Sequence, residues 1–131
     1  MTRVFVNGTF DILHVGHIEL LRYAKSLGDR LVVGIDSDDR VKALKGQDRP
    51  INREYERYTM LSALKPVDSV IIFDTDEDLI SLIEDSDIMV KGSDYKGKPI
   101  VGEEVCKKLV FFERVHGYST TEKIQDIADR R

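Results

Sequence analysis

The feature that most constrains the fold is a succession of short, unbroken apolar runs separated by stretches with helical spacing. Val4-Phe5-Val6, Leu31-Val32-Val33-Gly34-Ile35, Val70 to Phe73, Ile88-Met89-Val90 and Leu109 to Phe112 are five such runs. A strand apolar at every position is buried on both faces, as in a parallel sheet covered by helices; a sheet with one wet face alternates instead. The intervening segments read as helices. From His17 to Leu27, Ile18 with Leu21 and Leu20 with Ala24 recur at helical spacing, and Gly28 is a natural stop. Asp36-Ser37-Asp38 offers caps for a short helix through Val41 and Leu44. Asn52 is expected to cap a helix from Arg53 to Leu64, closed by Pro66. An acidic-fronted helix from Asp76 to Glu84, a short one from Glu103 to Lys107, and a final helix opened by Ser119 complete the alternation. The expected fold class is α/β: a doubly wound, five-stranded parallel sheet in a single domain over residues 1–131.

In this Rossmann-like architecture, ligands bind outside the carboxyl ends of the strands, near the reversal of strand order. The loops over 7–17, 36–50, 74–76, 91–101 and 113–121 should therefore carry the chemistry. Composition narrows the class further. There are 20 basic and 24 acidic residues, interspersed, with a net charge of -4. That argues against a nucleic-acid binder working by bulk electrostatics, which would be basic or carry a basic stripe. A single cysteine, Cys106, excludes an internal disulfide and a CxxC redox pair. No apolar run approaches the length of a membrane span. The chain opens directly on a strand-like segment, so the expectation is a cytoplasmic protein without a leader or membrane partner.

Two familiar phosphate signatures are missing: there is no GxxxxGK[ST] and no GxGxxG. Asp36 stands where a dehydrogenase places its ribose acid, but without those glycines it reads as a helix cap. A receiver-like signalling module is the non-enzyme alternative. Asp74 and Lys91 fit its acceptor acid and its lysine, while Asp11 alone stands where that module has paired acids.

The first loop carries the strongest signal. It reads Asn7-Gly8-Thr9-Phe10-Asp11-Ile12-Leu13-His14-Val15-Gly16-His17 and holds two of the three histidines. His17 is expected in the first turn of a helix and His14 just before it. Two imidazoles beside a helix N-terminus, with its unpaired N–H groups and partial positive charge, suit a polyphosphate. Gly16 would let the backbone come close to it. A metal site would need further Cys or His nearby. Ordinary capping and packing is the remaining alternative.

The segment Gly8 to His17 resembles the GTFD-x-x-H-x-G-H signature of the small cytidylyltransferases, within the wider HxGH nucleotidyltransferase superfamily. The resemblance runs from about residue 3 to 128. Leu44-Lys45-Gly46, Arg49-Pro50 and Glu56-Arg57 resemble the intervening basic elements. Gly117-Tyr118-Ser119-Thr120-Thr121 resembles the second signature, G-x-S-T-T. Lys91-Gly92-Ser93-Asp94-Tyr95 resembles the KGGDY segment of bacterial heptose 1-phosphate nucleotidyltransferases, with Ser93 in place of the second glycine. Val15 replaces a common proline or tryptophan.

The resemblance implies transfer of a nucleotidyl group from a nucleoside triphosphate to a phosphorylated sugar or polyol, with release of pyrophosphate. It implies His14, His17, Lys45 and Arg114 as the catalytic set. Gly8, Thr9, Phe10, Asp11, Gly16, Lys91, Gly92, Asp94, Tyr118, Ser119, Thr120 and Thr121 would join that set around the nucleotide. Arg57, Asp11 and Lys45 would hold the acceptor, and Asp11 is also expected to hold its loop. Mg²⁺ would accompany the triphosphate with few protein ligands, and a homodimer is implied. Ser119-Thr120-Thr121-Glu122 also reads as a capping box, and a capped helix at that edge is a second anion site. His116 reads as a loop residue. The Lys91–Tyr95 segment, Arg49-Pro50-Ile51-Asn52 and Ile100-Val101-Gly102 favour D-glycero-D-manno-heptose 1-phosphate as acceptor, with ATP or CTP as donor. Arg114 resembles an arginine of the glycerol-3-phosphate cytidylyltransferases, which make CDP-glycerol.

Overall fold

The computed structural model describes residues 1–113. Five strands form one parallel sheet: β1 (Arg3–Gly8), β2 (Arg30–Asp36), β3 (Ser69–Phe73), β4 (Ile88–Gly92) and β5 (Leu109–Phe112). Their spatial order is β3-β2-β1-β4-β5, and every pairing is parallel. The order reverses beside β1, so β1 and β4 flank the crevice where such sheets bind ligands. Four α-helices are described: α1 (Val15–Ser26), α2 (Asp38–Lys45), α3 (Glu54–Ser62) and α4 (Asp76–Glu84).

The apolar runs of β1, β2 and β4 are buried on both faces, whereas the edge strands β3 and β5 are only partly covered among the described residues. Val4 and Val6 of β1 join a core with Leu21 of α1 and Leu61 of α3. Phe5, on the opposite face, joins Phe73, Met89, and Leu79 and Ile83 of α4. Gly34 makes room for that second face: a Cβ there would sit 2.8 Å from Phe5 Cζ.

Several boundaries move for identifiable reasons. Helix α1 starts at Val15 because His14 caps it. Asn52 does not cap α3. Its N–H donates to Asp11, so Arg53 takes the cap position and donates its own N–H to Glu56 Oε1 at 3.1 Å. Thr75 caps α4 by accepting from the Asp78 N–H. The expected helix from Glu103 to Lys107 is only a 3₁₀ turn, Glu103–Val105. Lys91 and Gly92, expected in a loop, complete β4, and a second 3₁₀ turn, Ser93–Tyr95, follows them. The expected final helix lies outside the described residues.

The strand order overturns the receiver-like reading. A receiver sheet runs 2-1-3-4-5 and puts its third strand beside the first. Here β3 is an edge strand, so Asp74 is two strands away from the loop that holds Asp11.

Candidate active site

At the carboxyl ends of β1 and β4 lies a cleft of about 470 Å³. One wall is the loop from Gly8 through Phe10 and the start of α1, contributing His14, Gly16 and His17. The other is the end of β4 and the turn after it, contributing Lys91, Gly92, Asp94 and Tyr95. Lys45 reaches the cleft from the end of α2.

The two histidines form a reciprocal cap. His14 Nδ1 accepts the Gly16 N–H at 3.1 Å, and His17 Nδ1 accepts the His14 N–H at 3.2 Å. The rings stack with centroids 3.9 Å apart, and Phe10 packs on His17 at 5.2 Å. An imidazole nitrogen that accepts carries no proton, so each neutral ring bears its N–H on Nε2. Capping therefore fixes the tautomer of both rings. This corrects one expectation: the Gly16 N–H is not open to an anion, because His14 occupies it. The His17 N–H likewise donates to the His14 carbonyl at 3.0 Å.

The loop before α1 is strained. Phe10 and Ile12 have φ of 52° and 54°, in the left-handed region that non-glycine residues rarely adopt. Asp11, 1% exposed, pins it: its carboxylate accepts the N–H groups of Ile51 and Asn52 at 2.7 and 2.8 Å. Arg49 lies 3.5 Å from the same carboxylate. Asp11 thus fastens the loop rather than presenting itself to nucleotide or acceptor.

Arg57 is the larger correction. It is fully buried, and its guanidinium donates to the carbonyls of Asn52, Thr9 and Asp36 and to Asp38 Oδ1, at 2.7 to 3.0 Å. A fork committed to three backbone carbonyls and a carboxylate is not offered to an acceptor phosphate. Arg57 is a positioning residue that ties the loop after β1 to the end of β2. Asp38 and Glu54 complete the tie, each carboxylate accepting the other's backbone N–H at 2.8 Å.

The β4 wall is electrostatically different. Lys91 is 8% exposed, and its ammonium lies 4.7 Å from the centre of the Tyr95 ring. Burial pulls its pKa down to about 8, against the attraction of Asp36 and Asp94. A Cβ on Gly92 would come within 2.6 Å of Asp94 Oδ1, so the bare backbone there leaves the Asp94 carboxylate its present position. Lys45 is also shifted down, by burial and then by the nearby Arg49 charge. Two partly desolvated cations lining one cleft mark it as a candidate binding site.

A profile of the Cytidylyltransferase-like family matches residues 5–125. The chain belongs to the cytidylyltransferase-like family. This nucleotidyltransferase domain is 52% identical over 120 residues to the bifunctional protein HldE of Nitratiruptor sp., covering 90% of this chain and 26% of that one. It is 52% identical over 128 residues to the bifunctional protein HldE of Campylobacter fetus subsp. fetus, covering 96% of this chain and 28% of the relative. The chain thus spans about a quarter of the length of the curated relatives it matches. Among solved structures, the lipopolysaccharide core biosynthesis protein from Thermoplasma volcanium GSS1 superposes with a TM-score of 0.72 at 33% identity, covering 88% of this chain and 98% of that one.

Of the residues singled out in the sequence, the cleft of this cytidylyltransferase-like domain gathers Gly8, Thr9, Phe10, His14, Gly16, His17, Lys45, Lys91, Gly92 and Asp94. Arg114, Tyr118, Ser119, Thr120 and Thr121 lie outside the described residues. Sequence reasoning passed over Asn7, which lines the cleft at the end of β1. Its signal was available: it is the one polar side chain closing a run that is otherwise apolar. No helix among the described residues is long and apolar enough to cross a membrane.

Proposed function

We propose that this domain transfers a nucleotidyl group from ATP or CTP to a phosphorylated sugar, most directly D-glycero-D-manno-heptose 1-phosphate, and releases pyrophosphate. The observation that carries the reading is the stacked His14–His17 pair, with both Nδ1 atoms tied to backbone and Nε2 left as the proton-bearing atom. In the transfer, an oxygen of the acceptor phosphate forms a bond to the α-phosphorus. The bond from that phosphorus to the bridging oxygen breaks, and pyrophosphate leaves. No bond to the protein is needed, so the protein's work is alignment and charge stabilisation. Nε2–H groups stabilise charge developing on the α-phosphoryl oxygens. Lys45 supplies a point charge for the phosphates. Phe10, held by the Asp11 clasp, keeps the His17 ring in place.

The acceptor assignment is supported by the Lys91–Tyr95 segment at the cleft wall. The similar structure from Thermoplasma volcanium GSS1 is that of a lipopolysaccharide core biosynthesis protein, which supports a sugar phosphate as acceptor here. Among the described residues, no group of three His, Cys, Asp or Glu side chains could hold a metal. The reading takes Mg²⁺ to arrive with the triphosphate as part of the substrate, as the family resemblance implies. The same reading includes Ser119 to Thr121 and Arg114 around the departing phosphates, a cytoplasmic setting and a homodimer, the last tested by sedimentation.

Pyrophosphate release with Mg²⁺, measured for ATP and CTP separately, tests the proposal. Release with the heptose phosphate is expected. Release only with CTP and glycerol 3-phosphate would move the protein to CDP-glycerol synthesis, the reading that Arg114 favours.

A further inference from the structure

Asn7 and Lys91 stand side by side at the point where the strand order reverses. The β1–β4 register pairs Val4 with Ile88 and Phe5 with Met89. Two residues further along each strand bring Asn7 level with Lys91. Phe5 and Met89 share one core, so Asn7 and Lys91 fall on that same face of the sheet. Both line the cleft.

Each lacks what the other type of group would supply. Lys91 is 8% exposed, and its ammonium makes no hydrogen bond or ion pair among the described residues; the Tyr95 ring is its neighbour. Asn7 Oδ1 is buried and accepts no hydrogen bond among the described residues. Local acids and hydroxyls do not fill these gaps. Asp36 accepts from Arg40 Nε at 2.8 Å and from Thr9 Oγ1 at 3.2 Å. Buried polar groups are nearly always satisfied in a working protein, by protein, water or ligand.

The pair therefore calls for a ligand atom that accepts from an ammonium and donates to an amide oxygen. A phosphate oxygen accepts but has no proton for Asn7. A ring nitrogen without hydrogen has the same defect. A hydroxyl does both at once. Rotation about the broad, two-fold χ2 of Asn7 turns Oδ1 toward the cleft to meet it. Resting on the function proposed above, we propose that Asn7 and Lys91 together read one hydroxyl of a sugar, belonging either to the ribose of the nucleotide or to the phosphorylated acceptor. They are specificity-determining residues for a hydroxylated ligand, separate from the phosphate contacts of the α1 wall.

The test is equilibrium titration, without turnover, of wild type, Lys91→Met and Asn7→Ala. The ligands are ATP, its 2′-deoxy and 3′-deoxy forms, the heptose 1-phosphate and its single-deoxy analogues, and inorganic tripolyphosphate. Loss of the recognised hydroxyl should weaken wild-type binding about 10- to 100-fold, the range for a charge-assisted hydrogen bond, and cost nothing further in either variant. If the deoxy-ATP series shows this, the hydroxyl is the ribose's; if the sugar series does, it is the acceptor's. Asn7→Ser, which retains an acceptor, should restore part of the discrimination, and it replaces Asn7→Ala if that variant fails to fold. The proposal is overturned if every deoxy analogue loses as much in the variants as in wild type. It is also overturned if Lys91→Met weakens tripolyphosphate as much as ATP. A protein that binds these ligands but transfers nothing would sink the proposed reaction and leave this test intact.

Discussion

The two walls of the cleft are built on opposite terms. On the β1–α1 side, the polar groups named above are held by other protein groups: the histidines cap each other's backbone, Asp11 holds two amides, and Arg57 holds three carbonyls and Asp38. On the β4 side, a lysine is desolvated beside an aromatic ring, and across the strand pairing from it the Asn7 amide oxygen, at the end of β1, accepts no hydrogen bond among the described residues. In the first wall, the His14–His17 cap, the Asp11 clasp and the Arg57 tie are made within the protein and serve geometry. The second holds unfavourable free energy that a ligand can relieve. Substitutions on the two sides should therefore shift stability in opposite directions.

The largest expected effect is on catalysis at the first wall. His17→Ala should lower kcat about 10³-fold, the scale of losing a preorganised charge-stabilising donor. His14→Ala should do likewise and also cost about 1 kcal/mol of stability through the lost cap. Steady-state kinetics with urea unfolding separates the two effects. Next, Arg57→Met should destabilise the fold by about 3–5 kcal/mol, because it leaves buried partners unpaired. Full stability in that variant would break the account of the first wall.

On the β4 side the sign reverses. A fall in the Lys91 pKa from 10.5 to about 8 corresponds to about 3 kcal/mol against the charged form. Lys91→Met should therefore raise stability at pH 7 by up to that amount while weakening ligand binding. The folded pKa lies below the unfolded one, so the unfolded chain binds more protons between about pH 8 and 10.5. Wild-type stability should gain from Lys91 as pH rises through that window. The gain should be missing in Lys91→Met, as pH-dependent unfolding curves would show. The smallest effect is Asp11→Asn. It weakens a charge-assisted clasp on two amides and should cost about 1–2 kcal/mol, with amide exchange at Ile51 and Asn52 as the direct readout.

Strand content and the identity of the first loop were legible because each rests on local pattern: unbroken apolar runs for buried parallel strands, and two histidines three apart before a helical segment. The roles of Arg57 and Asp11 were not legible. Both look like ligand contacts in a motif, yet their partners lie far along the chain; Arg57 meets Thr9 and Asp36, and Asp11 meets Ile51 and Asn52. Only the fold brings those carbonyls and amides within reach. Asn7 was missed for a related reason. The polar side chain closing an apolar run marks the end of β1, but its partner across the β1–β4 pairing is known only from the fold.

The most direct test of the central claim is the product ratio in a single reaction of ATP, Mg²⁺ and D-glycero-D-manno-heptose 1-phosphate, run with wild type and with His17→Ala. The account predicts one pyrophosphate for each nucleotide-sugar formed by wild type, and turnover lowered about 10³-fold in the variant. Orthophosphate in place of pyrophosphate, or undiminished turnover without His17, would contradict it.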